Sequence, residues 1–214
     1  GSDQKRLTTW EGYDGGPFFS PDGERIIWRH FNENGMLADV YTMRLDGSDV
    51  CRLTDFGSMS WAPYYHPSGE YVDFHSNKYG FTNCELFIVD TRGEKEPVRI
   101  TFTERFDGLP VFSPDGKQLA WTSGRTPNGD SQLFMAAWDH EAAREALKRS
   151  GMRSETQAIQ PPGISENIQQ GIVNKPIQKN TAESKDIVHS FSPEITAADL
   201  HAEVQYIASD ELEG

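Results

Sequence analysis

Basic residues are scarce in this chain. Lys and Arg number 20 against 33 Asp and Glu, giving a formal net charge of −13 and a pI near 4.8. That shortage argues against nucleic acid as a partner, because neutralising phosphates needs a basic face; it leaves general solubility, or a basic partner, as the use of the acidity. Apolar runs are short as well. None approaches the ~18 residues that span a bilayer, so no membrane insertion is expected, and no signal-peptide pattern stands at the start. Cysteine is limited to Cys51 and Cys84, which fall on different predicted strands. A bridge between them needs a geometry that strands rarely offer, and two cysteines do not define a redox compartment.

Catalytic signatures are missing too. The six histidines are His30, His66, His75, His140, His189 and His201. None forms H-E-x-x-H, and no C-x-x-C metal site or G-x-S-x-G nucleophile elbow occurs. His66 reads as a turn residue, and His201 with Glu203 as a polar helix face. Neither cysteine is placed near a histidine as a nucleophile would be. No catalytic, cofactor or metal residue is therefore expected in this chain.

What the sequence has is a repeat. Phe19-Ser20-Pro21-Asp22-Gly23 returns as Phe112-Ser113-Pro114-Asp115-Gly116, and in altered form as Tyr65-His66-Pro67-Ser68-Gly69, at steps of 46 and 47 residues. A second proline precedes each anchor proline (Pro17, Pro63, Pro110). Arg6-Leu7-Thr8, Arg52-Leu53-Thr54 and Arg99-Ile100-Thr101 recur at matching offsets. Ser-Pro-Asp-Gly suits a type I turn, with proline presetting φ and glycine closing it. Alternating segments follow each turn (25–29, 71–75, 118–122), then a second set (39–45, 85–89, 132–136), and the first two units add a third (50–54, 97–101). Such periods mean stacked supersecondary units, each of about four antiparallel strands.

These motifs in register resemble the TolB-like β-propeller repeat, over roughly residues 5–138. The resemblance implies an all-β fold: a partial propeller of three roughly four-stranded blades. Domain boundaries follow as 3–138 for the blades, residues 3–9 being read as the outer strand of a preceding blade. A helix is expected over 139–150, with Asp139 as N-cap, Glu141 in its first turn, Lys148 and Arg149 at its end and Gly151 to stop it. Residues 151–191, rich in Gln, Asn, Ser, Pro and Gly, read as a linker. A C-terminal helix opens at Thr196-Ala197-Ala198-Asp199, with Leu200, Val204 and Ile207 on one face.

Ser192 to Gly214, "SPEITAADLHAEVQYIASDELEG", resembles the opening of the co-catalytic zinc aminopeptidase family. The segment ends before any stretch in which that family places metal ligands. The resemblance implies that the chain is a middle piece of a larger zinc aminopeptidase-type protein, periplasmic or secreted, with zinc only in a peptidase domain outside this chain.

Binding, if any, is expected in the loops before the innermost strands, which gather at the channel mouth of a propeller. Asp14 and Asp107 occupy equivalent places there, with Ser60 between them in the repeat. Glu11, Tyr13, Trp61, Arg105 and Phe106 stand beside them. Aromatics mixed with carboxylates suit a peptide or its amino end; the competing account packs the aromatics between blades and leaves the acids in solvent. Two functions stay open: an accessory or substrate-gating propeller of a secreted zinc peptidase, and a TolB-like interaction module of the cell envelope. Three blades fall short of the range of about four to eight that closes a ring. A homodimer completing six blades is therefore also expected, the segment around Arg6-Leu7-Thr8 of one copy finishing the third blade of the other.

Overall fold

The computed structural model describes residues 2–153. The expected linker beyond residue 153, the C-terminal helix and the peptidase-like segment lie outside the described residues. Within them the chain is mostly β, in three antiparallel sheets. The first is β1 (Tyr13–Phe19), β2 (Arg25–Phe31), β3 (Ala38–Arg44) and β4 (Cys51–Arg52), in that spatial order. The second is β5 (Ser60–Tyr65), β6 (Tyr71–Ser76), β7 (Glu85–Asp90) and β8 (Val98–Arg99). The third holds β9 (Asp107–Phe112), β10 (Gln118–Ser123) and β11 (Gln132–Ala137), with no fourth strand among the described residues. One helix, α1 (His140–Arg149), follows.

The turns behave as their residues dictate. Gly23, Gly69 and Gly116 adopt φ of 73°, 73° and 69°, which glycine reaches without a Cβ clash. Their N–H groups donate to the carbonyls of Ser20, His66 and Ser113. Ser20 Oγ accepts from Arg25 N, and Ser113 Oγ from Gln118 N. In the middle sheet His66 Nδ1 accepts from Ser68 N instead, so a histidine occupies the turn.

Packing occurs between sheets. Leu53, leaving the outer strand of the first blade, is buried with Ile27 and Val40 against Val72, Phe74 and Phe87 of the second. Ile100 repeats the role, packed against the cluster that joins Leu86 and Ile88 of the second blade to Phe112, Leu119 and Trp121 of the third. The middle blade is covered on both faces, so every residue of β6 is buried and the usual alternation vanishes. β11 is the reverse: Leu133 and Met135 are 84% and 66% exposed.

Three expectations are corrected. Residues 3–9 form no strand; instead Leu7 and Trp10 pack on Trp28, Tyr41 and Met43 of the first blade. The outer strands pair over only two residues each: the Leu53 and Ile100 amides still reach the Val40 and Leu86 carbonyls, but the return bonds from the Val40 and Leu86 amides go to the Thr54 and Thr101 hydroxyls instead of to a strand carbonyl, while the Leu53 and Ile100 side chains plug the next blade. Gly151 does not close α1. Ser150 does, its N–H reaching the Ala146 carbonyl and its Oγ the Leu147 carbonyl at 2.9 Å. Asp139 caps the other end as expected, accepting from Ala142 N at 2.9 Å. Cys51 and Cys84 are both free thiols.

Candidate functional site: the aromatic seam across three blades

Each innermost strand carries a bulge beside its proline. The residues before Pro17, Pro63 and Pro110 are Gly16, Ala62 and Leu109, with φ of 59°, 45° and 56°. Left-handed backbone at Ala62 and Leu109 is costly for residues with a Cβ. The same conformation in all three blades shows that the repeat imposes it. A bulge re-aims the side chains beside it, and it sets the residues at the head of each strand toward the neighbouring blade.

The expected site residues separate into two groups. Asp14 and Asp107 lie within the strands and act as struts. Asp14 Oδ1 accepts from Trp28 Nε1 at 2.8 Å and meets His30 Nδ1 at 2.9 Å. Asp107, fully buried, accepts from Trp121 Nε1 at 3.3 Å, from Thr103 Oγ1 at 2.7 Å and from Arg125 at 2.7 Å. Neither is the solvated acid of the competing account. Ser60 keeps the position, but Phe74 stands where the other blades have Trp28 and Trp121 and offers no donor, and the Ser60 Oγ has no partner among the described residues. Glu11 is exposed beside Glu33, whose carboxyl is raised by hydrogen bonding to Glu11 and by its charge.

Tyr13, Trp61 and Phe106 come together, one from each blade, through three residues that the motif comparison passed over. The Arg29 guanidinium lies 5.5 Å from the Tyr13 ring centre and 5.9 Å from that of Trp61. Phe31 meets Trp61 edge-on at 5.4 Å and Tyr13 at 6.0 Å. Trp61 stacks on His75 at 5.7 Å, and His75 meets Phe106 edge-on at 5.7 Å. Burial, with the Arg29 charge second, holds the His75 imidazole down to about 3, so the ring is neutral. Its Nδ1 accepts the Leu109 N–H at 3.2 Å, tying the second blade to the bulge of the third. Tyr13 remains 54% exposed, and Arg29, Phe31, Trp61 and Phe106 are half-buried. The strand alternation held a signal for the missed residues: Ile27, Arg29 and Phe31 share one face of β2, an arginine set among residues that pack on the next blade.

Arg105 closes the far end of the seam. Its φ is 81°, and its guanidinium donates to the carbonyls of Gly124 and Thr126 at 3.4 and 3.2 Å. With Phe106, Asn83 and Glu104 it lines an open depression of about 520 Å³ between the second and third blades. No group of three or more His, Cys, Asp or Glu converges on a possible metal position among the described residues. They therefore do not fit a zinc centre.

Comparison with known proteins agrees with this architecture. The profile of the family described as TolB beta propeller domain matches residues 16–169. An uncharacterised protein of Agrobacterium fabrum, Atu1656, is 41% identical over 131 residues, 55% of this chain and 42% of that protein. A TolB homolog of Chlorobium chlorochromatii is 26% identical over 143 residues, covering 48% of this chain and 32% of that protein. The match thus spans less than half the length of either relative. Among solved structures, TolB from Acinetobacter baumannii superposes with a TM-score of 0.52 at 26% identity, covering 61% of this chain and 31% of that one.

Proposed function

As the chain belongs to the TolB beta propeller domain family, we propose that it is a non-catalytic binding module that holds an extended peptide along the seam of Tyr13, Trp61 and Phe106. The observation that carries this reading is the continuity of the stack. Rings from three successive blades meet through Arg29, Phe31 and His75, yet stay partly open. Aromatic faces of this kind grip peptide side chains at little entropic cost, since the frame is already rigid.

In its finer form the module is the accessory or substrate-gating part of a larger, secreted or periplasmic zinc aminopeptidase-type protein. The wording of Ser192–Gly214 supports this. Zinc chemistry then belongs to the peptidase portion, and this chain supplies binding alone. The likeness to the TolB homolog supports a second reading, docking of an envelope protein at the same mouth. The two part at the ligand: short peptides in the first, a folded partner in the second.

Trp61→Ala tests the seam. On a peptide array, capture by the whole chain is expected to fall about thirtyfold, the ~2 kcal/mol of a binding hot spot. Leu45→Ala, an exposed residue just beyond β3, is expected to change nothing. Equal capture by Trp61→Ala and the parent chain overturns the seam. Chelator-sensitive release of aminoacyl chromophores by the chain overturns the non-catalytic assignment.

A further inference from the structure

In so acidic a chain the half-buried arginines find carboxylates. Arg25 pairs with Asp49, Arg52 with Asp39, Arg99 with Glu85, Arg125 with Asp107 and Arg153 with Asp55. Arg29 does not. No carboxylate lies within ion-pair distance of it among the described residues. Its Nε is buried without a partner, and Nη2 has only the Tyr13 hydroxyl, at 3.5 Å. Asp14, on the adjacent strand β1, is committed to Trp28 and His30.

The guanidinium is nonetheless held in place. Tyr13 and Trp61 flank it. Nη1 rests against Gly16, where any Cβ would collide with it. The repeat then exposes a mismatch. Between the second and third blades the bulge amide of Leu109 donates to His75 Nδ1. One blade earlier the equivalent pair is Ala62 and Arg29, and Ala62 adopts nearly the same backbone, φ 45° against 56°. A histidine nitrogen can accept; a guanidinium cannot. At this seam the two equivalent positions supply donors alone, and the partnerless Arg29 Nε calls for an acceptor.

We infer that the Arg29 nook, framed by Tyr13, Gly16, Trp61 and Ala62, is a carboxylate-binding site that anchors the C-terminal or side-chain carboxylate of the bound peptide. Planar carboxylates match the guanidinium fork, and the flanking rings exclude water from the pair. The inference rests on the peptide-binding reading above and adds the ligand group that it selects.

The test uses N-acetyl-tetraalanine as the free acid and as the C-terminal amide, with acetate as a third probe, titrated into the whole isotope-labelled chain. The Trp61 indole and Arg29 Nε–H signals are followed by NMR. The free acid is expected to shift both signals and to bind at least about tenfold tighter than the amide or acetate, the value of one charge-assisted pair. Arg29→Gln is expected to remove the preference for the acid, and Arg29→Lys to keep it at reduced affinity. Unchanged Trp28 and Trp121 indole signals show that the variants are folded. Equal binding of acid and amide at the seam overturns the carboxylate site and leaves peptide binding standing. Acetate binding as tightly as the peptide overturns the peptide assignment in favour of small anions. If neither peptide shifts the seam, both the site and the peptide-binding reading fall.

Discussion

Asp73 occupies a position where the first blade has Ile27 and the third Ala120. It is fully buried between blades, and neither carboxylate oxygen has a partner among the described residues. Burial drives its carboxyl well above the usual carboxylate range, against a weaker pull from the Tyr64 and Asp73 amides. The folded chain therefore keeps a proton that the unfolded chain surrenders above about pH 4. Stability should fall as pH rises from there, by up to ~1.4 kcal/mol per pH unit, until the interior group itself ionises. Asp73→Asn, the same shape without ionisation, should match the parent near pH 4 and exceed it near pH 8 in urea unfolding. A difference between the two that stays constant with pH would show that Asp73 does not titrate on folding. Nothing in the sequence marked this residue, since an acid in an alternating strand reads as solvent-facing. Its burial comes only from the third blade closing over a face that repeat arithmetic could not see.

The most informative element is the Arg-x-Thr segment that ends the first and second blades. Thr54 Oγ1 accepts from Val40 N at 2.9 Å and donates to Asp39 at 2.8 Å, while Arg52 pairs with Asp39. Thr101, Arg99 and Glu85 repeat the arrangement in the second blade. A short outer strand thus holds by a clamp on the head of the strand beside it, and the apolar residue between the clamp's jaws is freed to enter the next blade. Thr54→Val should cost ~2 kcal/mol, because it leaves the Val40 amide and one Asp39 oxygen without partners. Thr8→Val should shift the urea midpoint little, since the Thr8 hydroxyl has no partner among the described residues. Equal losses for the two would refute the clamp. The recurrence of Arg-x-Thr, of the turns and of the strands after them was legible at 46–47-residue spacing. The clamp was not, because its acceptor is Asp39 in one blade and Glu85 in the next, and the pairing joins residues 13–16 apart. For the same reason Asp14 and Asp107 looked alike as mouth residues: equal spacing identified the position, while only the side chains opposite, Trp28 and Trp121, reveal the strut.

At the scale of the whole molecule the clamp gives the expected dimer a specific form. Arg6 Nε donates to the Thr8 carbonyl at 2.7 Å, as Arg99 Nε does to that of Thr101 at 2.6 Å. Leu7 already packs on Trp28 and Tyr41, as Leu53 does on Phe74 and Phe87. Residues 6–8 thus share the arginine bond and the apolar plug of an outer strand while pairing with no sheet. β11 offers the other half, an edge strand headed by Gln132, which stands in register with Asp39 and Glu85. In a head-to-tail pair each copy's Arg6 and Thr8 would clamp the other's Gln132, covering Leu133 and Met135 and completing six blades. Light scattering on the order of tens of micromolar should then report a dimer held by one short strand per copy, at the weak end of specific interfaces. Gln132→Glu supplies the acid that the other two blades use and should tighten the pair about tenfold, ~1.4 kcal/mol. Thr8→Val, near-silent in the fold of one copy, should loosen it. A monomer at that concentration rules the dimer out. A dimer indifferent to both substitutions would place the contact elsewhere than on this strand.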